Sequence, residues 1–109
     1  MNSQYKKGVL ELCVLSLLKK RDCYGYEISE YLSQHIDIAD GTVYPILRKL
    51  KADGLLTTYL QEESGGPPRK YYKLTSLGAE AYARDRDEYL GFARTVLKLL
   101  EEDEANDQE

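Results

Sequence analysis

At 109 residues the chain has room for one modest core and not for two. Apolar residues make up 42% and charged residues 31%, which excludes disorder throughout and leaves only the extreme C-terminus to fray. The longest apolar run, Val9 to Leu18, is broken by Glu11 and Ser16 and falls short of the roughly 20 residues that a membrane span requires.

Lys6-Lys7 ahead of that run imitates a signal peptide, but Lys19-Lys20-Arg21-Asp22 follows where a small-residue cleavage site belongs. The expected location is cytoplasmic. Cys13 and Cys23 do not have metal-ligand spacing, there is a single His, and in a reducing compartment both are free thiols. Cys13 lies among apolar residues and reads as core. Cys23 lacks a local feature that would activate it as a redox sensor. No cofactor or metal is expected. His35 reads as a helix-end cation or a surface residue, since no nucleophile or paired carboxylate accompanies it, and no enzyme motif is present.

In chain order, residues 6–19 predict a first helix that is apolar around most of its circumference and therefore central. A second helix opens at Asp22 or Cys23 and runs to about His35, with Ile28, Tyr31 and Leu32 on one face. A third helix runs from Gly41 or Thr42 to Ala52, with Val43, Ile46, Leu47 and Leu50 as its core stripe. Its other side presents Pro45, Arg48 and Lys49, flanked by Thr42 and Tyr44. Pro45 is tolerated only near a helix start, which fits a cap by Asp40 or Thr42. Gly54 supplies the left-handed stop.

Leu55 to Glu63 predicts a strand, Ser64-Gly65-Gly66-Pro67-Pro68 a turn, and Arg69 to Thr75 the returning strand. One of Tyr71 and Tyr72 should face the core and the other outward. Thr75 or Ser76 caps a last helix of some 25 residues, with Glu80 in its first turn. Tyr82, Tyr89, Ala93, Val96 and Leu100 fall on one stripe of that helix, and Leu90, Phe92 and Leu97 widen it. A helix that projects past a small domain with an apolar stripe at its far end requires a second surface, so self-association is expected. Tyr89, amid Asp85, Arg86, Asp87 and Glu88, is either a dimer contact or the wall of a small-molecule cavity at the interface.

The net charge of −4 is segregated along the chain. Residues 41–73 carry six cations against three anions, and residues 76–109 carry four against ten. Phosphate binding needs local positive potential and not a basic protein. The acidic run Glu101-Glu102-Asp103-Glu104 reads as a solvated helix end. A helix and then a hairpin, each with basic residues, outline a winged helix-turn-helix: mainly α with a small β-hairpin and a long C-terminal dimerisation helix. Residues 1–75 would form the DNA-binding region and 76–109 the dimerisation helix and acidic tail, in one compact domain.

In such a unit the third helix enters the major groove N-terminus first. Thr42 and Tyr44 would hydrogen-bond bases or phosphates, and Pro45 would offer a flat apolar contact. Arg48 would fork onto a guanine, Lys49 would meet phosphate, and Arg69 and Lys70 of the wing would reach backbone or minor groove. Taken singly, such cations are usually a solvated face. Their occurrence at both the helix and the wing is what favours double-stranded DNA as partner.

Four segments carry a resemblance to a known family: Gly8-Val9-Leu10-Glu11-Leu12; Tyr24-Gly25-Tyr26-Glu27-Ile28; Gly41 to Leu50 with Asp53-Gly54-Leu55; and Pro68 to Gly78. Over about residues 7–100 the chain resembles the PadR-type transcriptional regulators, in particular the short subfamily with a single C-terminal helix. The resemblance implies a homodimer held by the last helix with help from the first. It also implies paired winged helices on a pseudo-palindromic operator, and repression relieved by a phenolic or other hydrophobic effector. It carries over the DNA-facing positions above and adds Tyr24 as a phosphate contact. Some short members enclose a drug cavity between the two terminal helices; here Tyr89 and Phe92 would be the aromatic walls, without a Trp. At Pro67 the family often has a further basic residue, which implies one phosphate contact fewer. The alternatives are a winged-helix regulator without an effector and a winged-helix module used only for protein–protein contact.

Overall fold

A computed structural model describes residues 3–62 and 65–107, with side-chain environments for 7–62 and 65–102. The element order is α1 (Ser3–Lys20), β1 (Cys23–Tyr24), α2 (Gly25–His35), α3 (Val43–Ala52), β2 (Leu56–Gln61), β3 (Arg69–Leu74) and α4 (Ser76–Asp107). This is the expected winged helix-turn-helix with a long terminal helix. The predicted strand end at Glu63 and the turn residue Ser64 lie outside the described residues, as do the side chains of Asp103 and Glu104.

α1 is the central helix. Leu10, Val14, Leu15, Leu17 and Leu18 are buried, and the helix touches α2, α3, α4 and β3. Cys13 is half-buried and packs against the same core.

α2 starts later than expected. Cys23 and Tyr24 do not enter the helix; they pair with Tyr72 and Tyr71 as a third, antiparallel strand in the order β1-β3-β2. Two residues are too few to show a period of two, so side-chain pattern gives no sign of this strand. The pairing protects part of the exposed edge of β3. Glu27 then marks the helix start, its Oε1 accepting the Tyr24 N–H at 3.1 Å.

α3 buries the four residues of the predicted stripe, Val43, Ile46, Leu47 and Leu50. Its start is not made by the expected cap. Thr42 occupies the N-cap position without a side-chain hydrogen bond. The chain turns into the helix through Gly41 at φ 85°, and the Thr42 N–H is bonded to the Ala39 carbonyl at 3.2 Å. The stop is as expected: Gly54 has φ 80°, its N–H meets the Lys51 carbonyl, and the Leu55 N–H meets that of Leu50, both at 3.0 Å. This pair of bonds satisfies carbonyls that the helix end would otherwise leave open.

In the wing, Leu56 faces Leu74 and Thr58 faces Tyr72. Tyr72 is the buried tyrosine and Tyr71 is half-buried on the outer face. Thr75 begins α4: its Oγ1 accepts the Gly78 N–H at 2.9 Å and donates to the Gly54 carbonyl at 2.7 Å. One hydroxyl therefore caps α4 and joins it to the end of α3. Glu80 is not in the first turn, which carries no acid.

α4 has 32 residues, longer than expected, and stretches the molecule to 64 × 27 × 22 Å. Ala81 is buried and Tyr82 packs on the protomer's own core. Beyond Tyr89 the helix leaves the domain, with Phe92, Leu97, Leu99 and Leu100 each 57–62% exposed.

Candidate nucleic-acid interface

Strand β1 spans only two residues and pairs with β3 at Tyr71 and Tyr72. Past that point the edge of β3 is open beside the N-terminus of α2. An open hollow of about 500 Å3 lies there, lined by Tyr24, Gly25, Tyr26, Tyr44, Arg69, Lys70 and Tyr72. Tyr24, Tyr44, Arg69 and Lys70 were each expected to contact DNA, and the fold brings all four together from three elements.

Arg69 and Lys70 point to opposite faces of β3 because side chains alternate along a strand. Both reach the hollow, since it sits at the edge where the faces meet. Each cation rests on an aromatic ring: Arg69 Cζ lies 4.5 Å from the Tyr24 centroid and Lys70 Nζ 5.7 Å from that of Tyr72. A guanidinium over a ring is held by the ring's quadrupole, a contact that does not use its N–H donors.

On a 100° wheel, Tyr44 and Lys51 lie within about 20° of each other on the side of α3 toward the wing. Arg48 is exposed between them and Pro45. Thr42 and Pro45 border a different, largely apolar hollow of about 480 Å3, shared with Lys7, Leu10, Ile38, Ala39 and Ile46.

Lys49 is on another side of α3. Its Nζ lies 3.2 Å from Asp53 Oδ2 and 3.4 Å from Glu11 Oε1 on α1. The bond to Asp53, with Glu11 behind it, pushes its pKa up. Lys49 also lines a groove of about 570 Å3 between α1, α3 and α4 that contains Glu11, Asp85, Glu88 and Tyr89. Of the two residues expected to wall an effector cavity, Tyr89 lines this groove and Phe92 stands exposed outside it.

Tyr26 and Gly25 line the hollow and are the residues that sequence reasoning did not single out there. Tyr26 is 63% exposed, and nothing in its spacing distinguishes it. Gly25 matters by what it lacks: a Cβ there would come within 2.9 Å of Tyr44 Cε1. Gly25→Ala should therefore push the Tyr44 ring out of the hollow. The expected result is a change in stability under about 1 kcal/mol, because alanine's helix preference offsets the contact. DNA affinity should fall about fivefold to tenfold, roughly 1–1.4 kcal/mol. Melting curves and fluorescence anisotropy on one sample would separate the two; unchanged affinity would show that the placement of Tyr44 is irrelevant to binding.

Cys23 is fully buried, with Arg21 Nη1 3.2 Å from its Sγ. Burial pushes the thiol's pKa up, only partly opposed by Arg21, so it is held as a neutral thiol and not as a thiolate. Among the described residues no cluster of His, Cys, Asp or Glu could hold a metal ion, and no helix is long and apolar enough to cross a membrane.

The fold and this face define a winged helix-turn-helix transcription regulator. Residues 14–84 match the model of the transcriptional regulator PadR-like family, and the chain belongs to that family. It is 32% identical over 95 residues to the transcriptional regulator Rv3488 of Mycobacterium tuberculosis, covering 86% of this chain and 88% of that one. It is 32% identical over 76 residues to the negative transcriptional regulator PadR of Bacillus subtilis, covering 66% of this chain and 42% of that protein. A PadR-like transcriptional regulator from Bacillus cereus superposes with TM-score 0.81 at 36% identity, covering 90% of this chain and 97% of the other. The family is one of transcription regulators and is not an enzyme class.

Proposed function

We propose that this chain is a cytoplasmic, sequence-specific DNA-binding repressor that acts as a homodimer on a pseudo-palindromic operator and is released by a small hydrophobic or phenolic effector. The observation that carries the DNA reading is the convergence of Tyr24, Tyr44, Arg69 and Lys70 on one open hollow, with Arg48 exposed on the adjacent outer side of α3. In this arrangement α3 reads base edges through Tyr44 and Arg48, with Lys51 beside them. The wing cations and Tyr24 hold phosphate. Thr42 and Pro45 meet the duplex at the entry of α3.

The homodimer reading is supported by the exposed apolar stripe of α4. Repression is supported by the function stated in the name of the Bacillus subtilis relative. The effector reading is supported by the groove at Tyr89, which lies against both α1 and α4, so a ligand there would touch the helices that set the spacing of the two winged helices.

The test is fluorescence anisotropy on DNA from just upstream of the chain's own gene, against a scrambled duplex and across a salt series. Tight, salt-sensitive preference for the upstream duplex is expected. Absence of binding to either duplex at low salt would overturn the reading. Release of bound DNA by phenolic acids tests the effector.

The positions of Arg48 and Lys49 give a sharper expectation. Arg48→Ala should lower operator affinity at least about tenfold, roughly 1.4 kcal/mol. Lys49→Ala should leave the salt slope unchanged, because its ammonium is engaged by Glu11 and Asp53. A slope reduced by about one in Lys49→Ala would mean that Lys49 leaves those carboxylates for phosphate.

A further inference from the structure

The outer face of the wing carries a continuous file of aromatic contacts that ends on one cation. Tyr59 Oη donates to Asp22 Oδ2 at 2.7 Å. The Tyr59 ring is stacked on that of Tyr71, centroids 5.6 Å apart and planes 15° apart. Tyr71 meets Tyr24 edge-on, also at 5.6 Å, with an interplanar angle of 67°. The Arg69 guanidinium lies over the face of Tyr24 at 4.5 Å.

The register explains why these residues meet. Tyr59 and Tyr24 are the Cα partners of Tyr71 on its two sides. Arg69 lies two residues before Tyr71 and so shares its face. The two-residue strand β1 is what carries Tyr24 into the file.

We infer that Tyr59 and Tyr71 are positioning residues for DNA binding: neither needs to touch the duplex, and together they fix the Tyr24 ring that seats Arg69. An unsupported arginine at a hairpin tip samples many rotamers and loses that freedom when it meets phosphate. Here the guanidinium is held before DNA arrives. Its carbon sits 4.5 Å from the ring centroid, and no hydrogen bond need be broken within the ring contact for its N–H groups to meet a phosphate oxygen. The Asp22 carboxylate anchors the far end of the file through Tyr59.

This inference rests on the interface reading above, in which Arg69 is a DNA contact. The experiment keeps the two apart by combining a DNA-free readout with a double-mutant cycle. In the free protein the Arg69 side-chain proton resonances should be shifted upfield by the Tyr24 ring. They should move toward random-coil values in Tyr59→Leu and Tyr71→Leu, stay in place in Tyr71→Phe, which keeps the ring, and move only part of the way in Tyr59→Phe, which keeps the ring but loses the bond to Asp22. Unmoved resonances in both Leu variants would overturn the inference whatever happens with DNA.

With the upstream duplex, and with a scrambled duplex at low salt, Arg69→Ala should lower affinity about fivefold and reduce the salt slope by about one. Tyr71→Leu and Tyr59→Leu should reproduce most of that loss and the slope change, and should add almost nothing in the Arg69→Ala background. Equal losses with and without Arg69 would overturn the inference while leaving the interface intact. An Arg69→Ala variant with unchanged affinity and slope would overturn the interface reading at Arg69, and the positioning role with it. Tyr59, exposed and at the wing surface, serves as the second variant should Tyr71→Leu not fold.

Discussion

Replacing Gly78 by alanine should destabilise the protein by about 2–4 kcal/mol, the range of severe over-packing, and lower its melting temperature by about 10 °C or more. Local preference points the other way, since alanine is about 1 kcal/mol better than glycine inside a helix. The reversal comes from packing. A Cβ at Gly78 would lie inside the contact distance of the Leu55 carbonyl oxygen, 3.0 Å from the Leu55 carbonyl carbon and 2.8 Å from Leu74 Cδ1. Backbone cannot swing aside as a side chain can. Relief requires α4 to lift from the junction where Thr75 bonds both Gly54 and Gly78.

Gly91 provides the contrast. Nothing lies within 4 Å of a Cβ there, and it sits opposite the apolar stripe of α4. Gly91→Ala should stabilise by about 0.5–1 kcal/mol. Urea or thermal unfolding of both variants at one fixed protomer concentration checks the pair. A Gly78→Ala protein as stable as the parent would show that α4 does not bear on Leu55 as described.

The second large effect concerns the far half of α4. Val96→Glu with Leu97→Glu places two carboxylates in the apolar stripe of each protomer. Burying a leucine or valine at an interface contributes roughly 1.5–3 kcal/mol, and an unpaired buried charge costs more than that. In a twofold dimer each change occurs twice. Association should weaken by at least about a thousandfold, about 4 kcal/mol. Sedimentation should then report the protomer mass of 12.5 kDa. Operator affinity should drop about a hundredfold as the second half-site loses its tethered reader. The fold of the protomer should persist, because Leu97 is 57% exposed and outside its core. A variant that still sediments as a dimer would place the interface elsewhere.

Several features of this molecule are legible from residue order because they are local. The four buried residues of α3 follow a 3.6-residue period, and Gly54 announces the helix stop by needing a positive φ. Gly65 at φ 80° opens the predicted turn. The apolar stripe at the end of α4 also shows on a wheel, and its Leu97 and Leu100 are exposed in the protomer. In each case the information sits within a few residues, where backbone geometry alone relates one side chain to the next.

The remaining features are settled by elements distant in the chain. Lys49 and Arg48 are adjacent cations on one helix, and a wheel puts both outside. Asp53, one turn further on, and Glu11 of α1, 38 residues away, both engage Lys49, while Arg48 stays exposed; the contribution of α1 is the part that residue order does not show. Cys23 and Tyr24 become a strand because β3 offers them an edge, and that pairing puts Tyr24 under Arg69. Gly25 and Gly78 matter through the ring and the carbonyl that approach them from other elements. A pattern of apolar spacing says which face of an element is covered. It does not say what covers it, how closely, or with which charge, and those three quantities shape the candidate DNA-binding face.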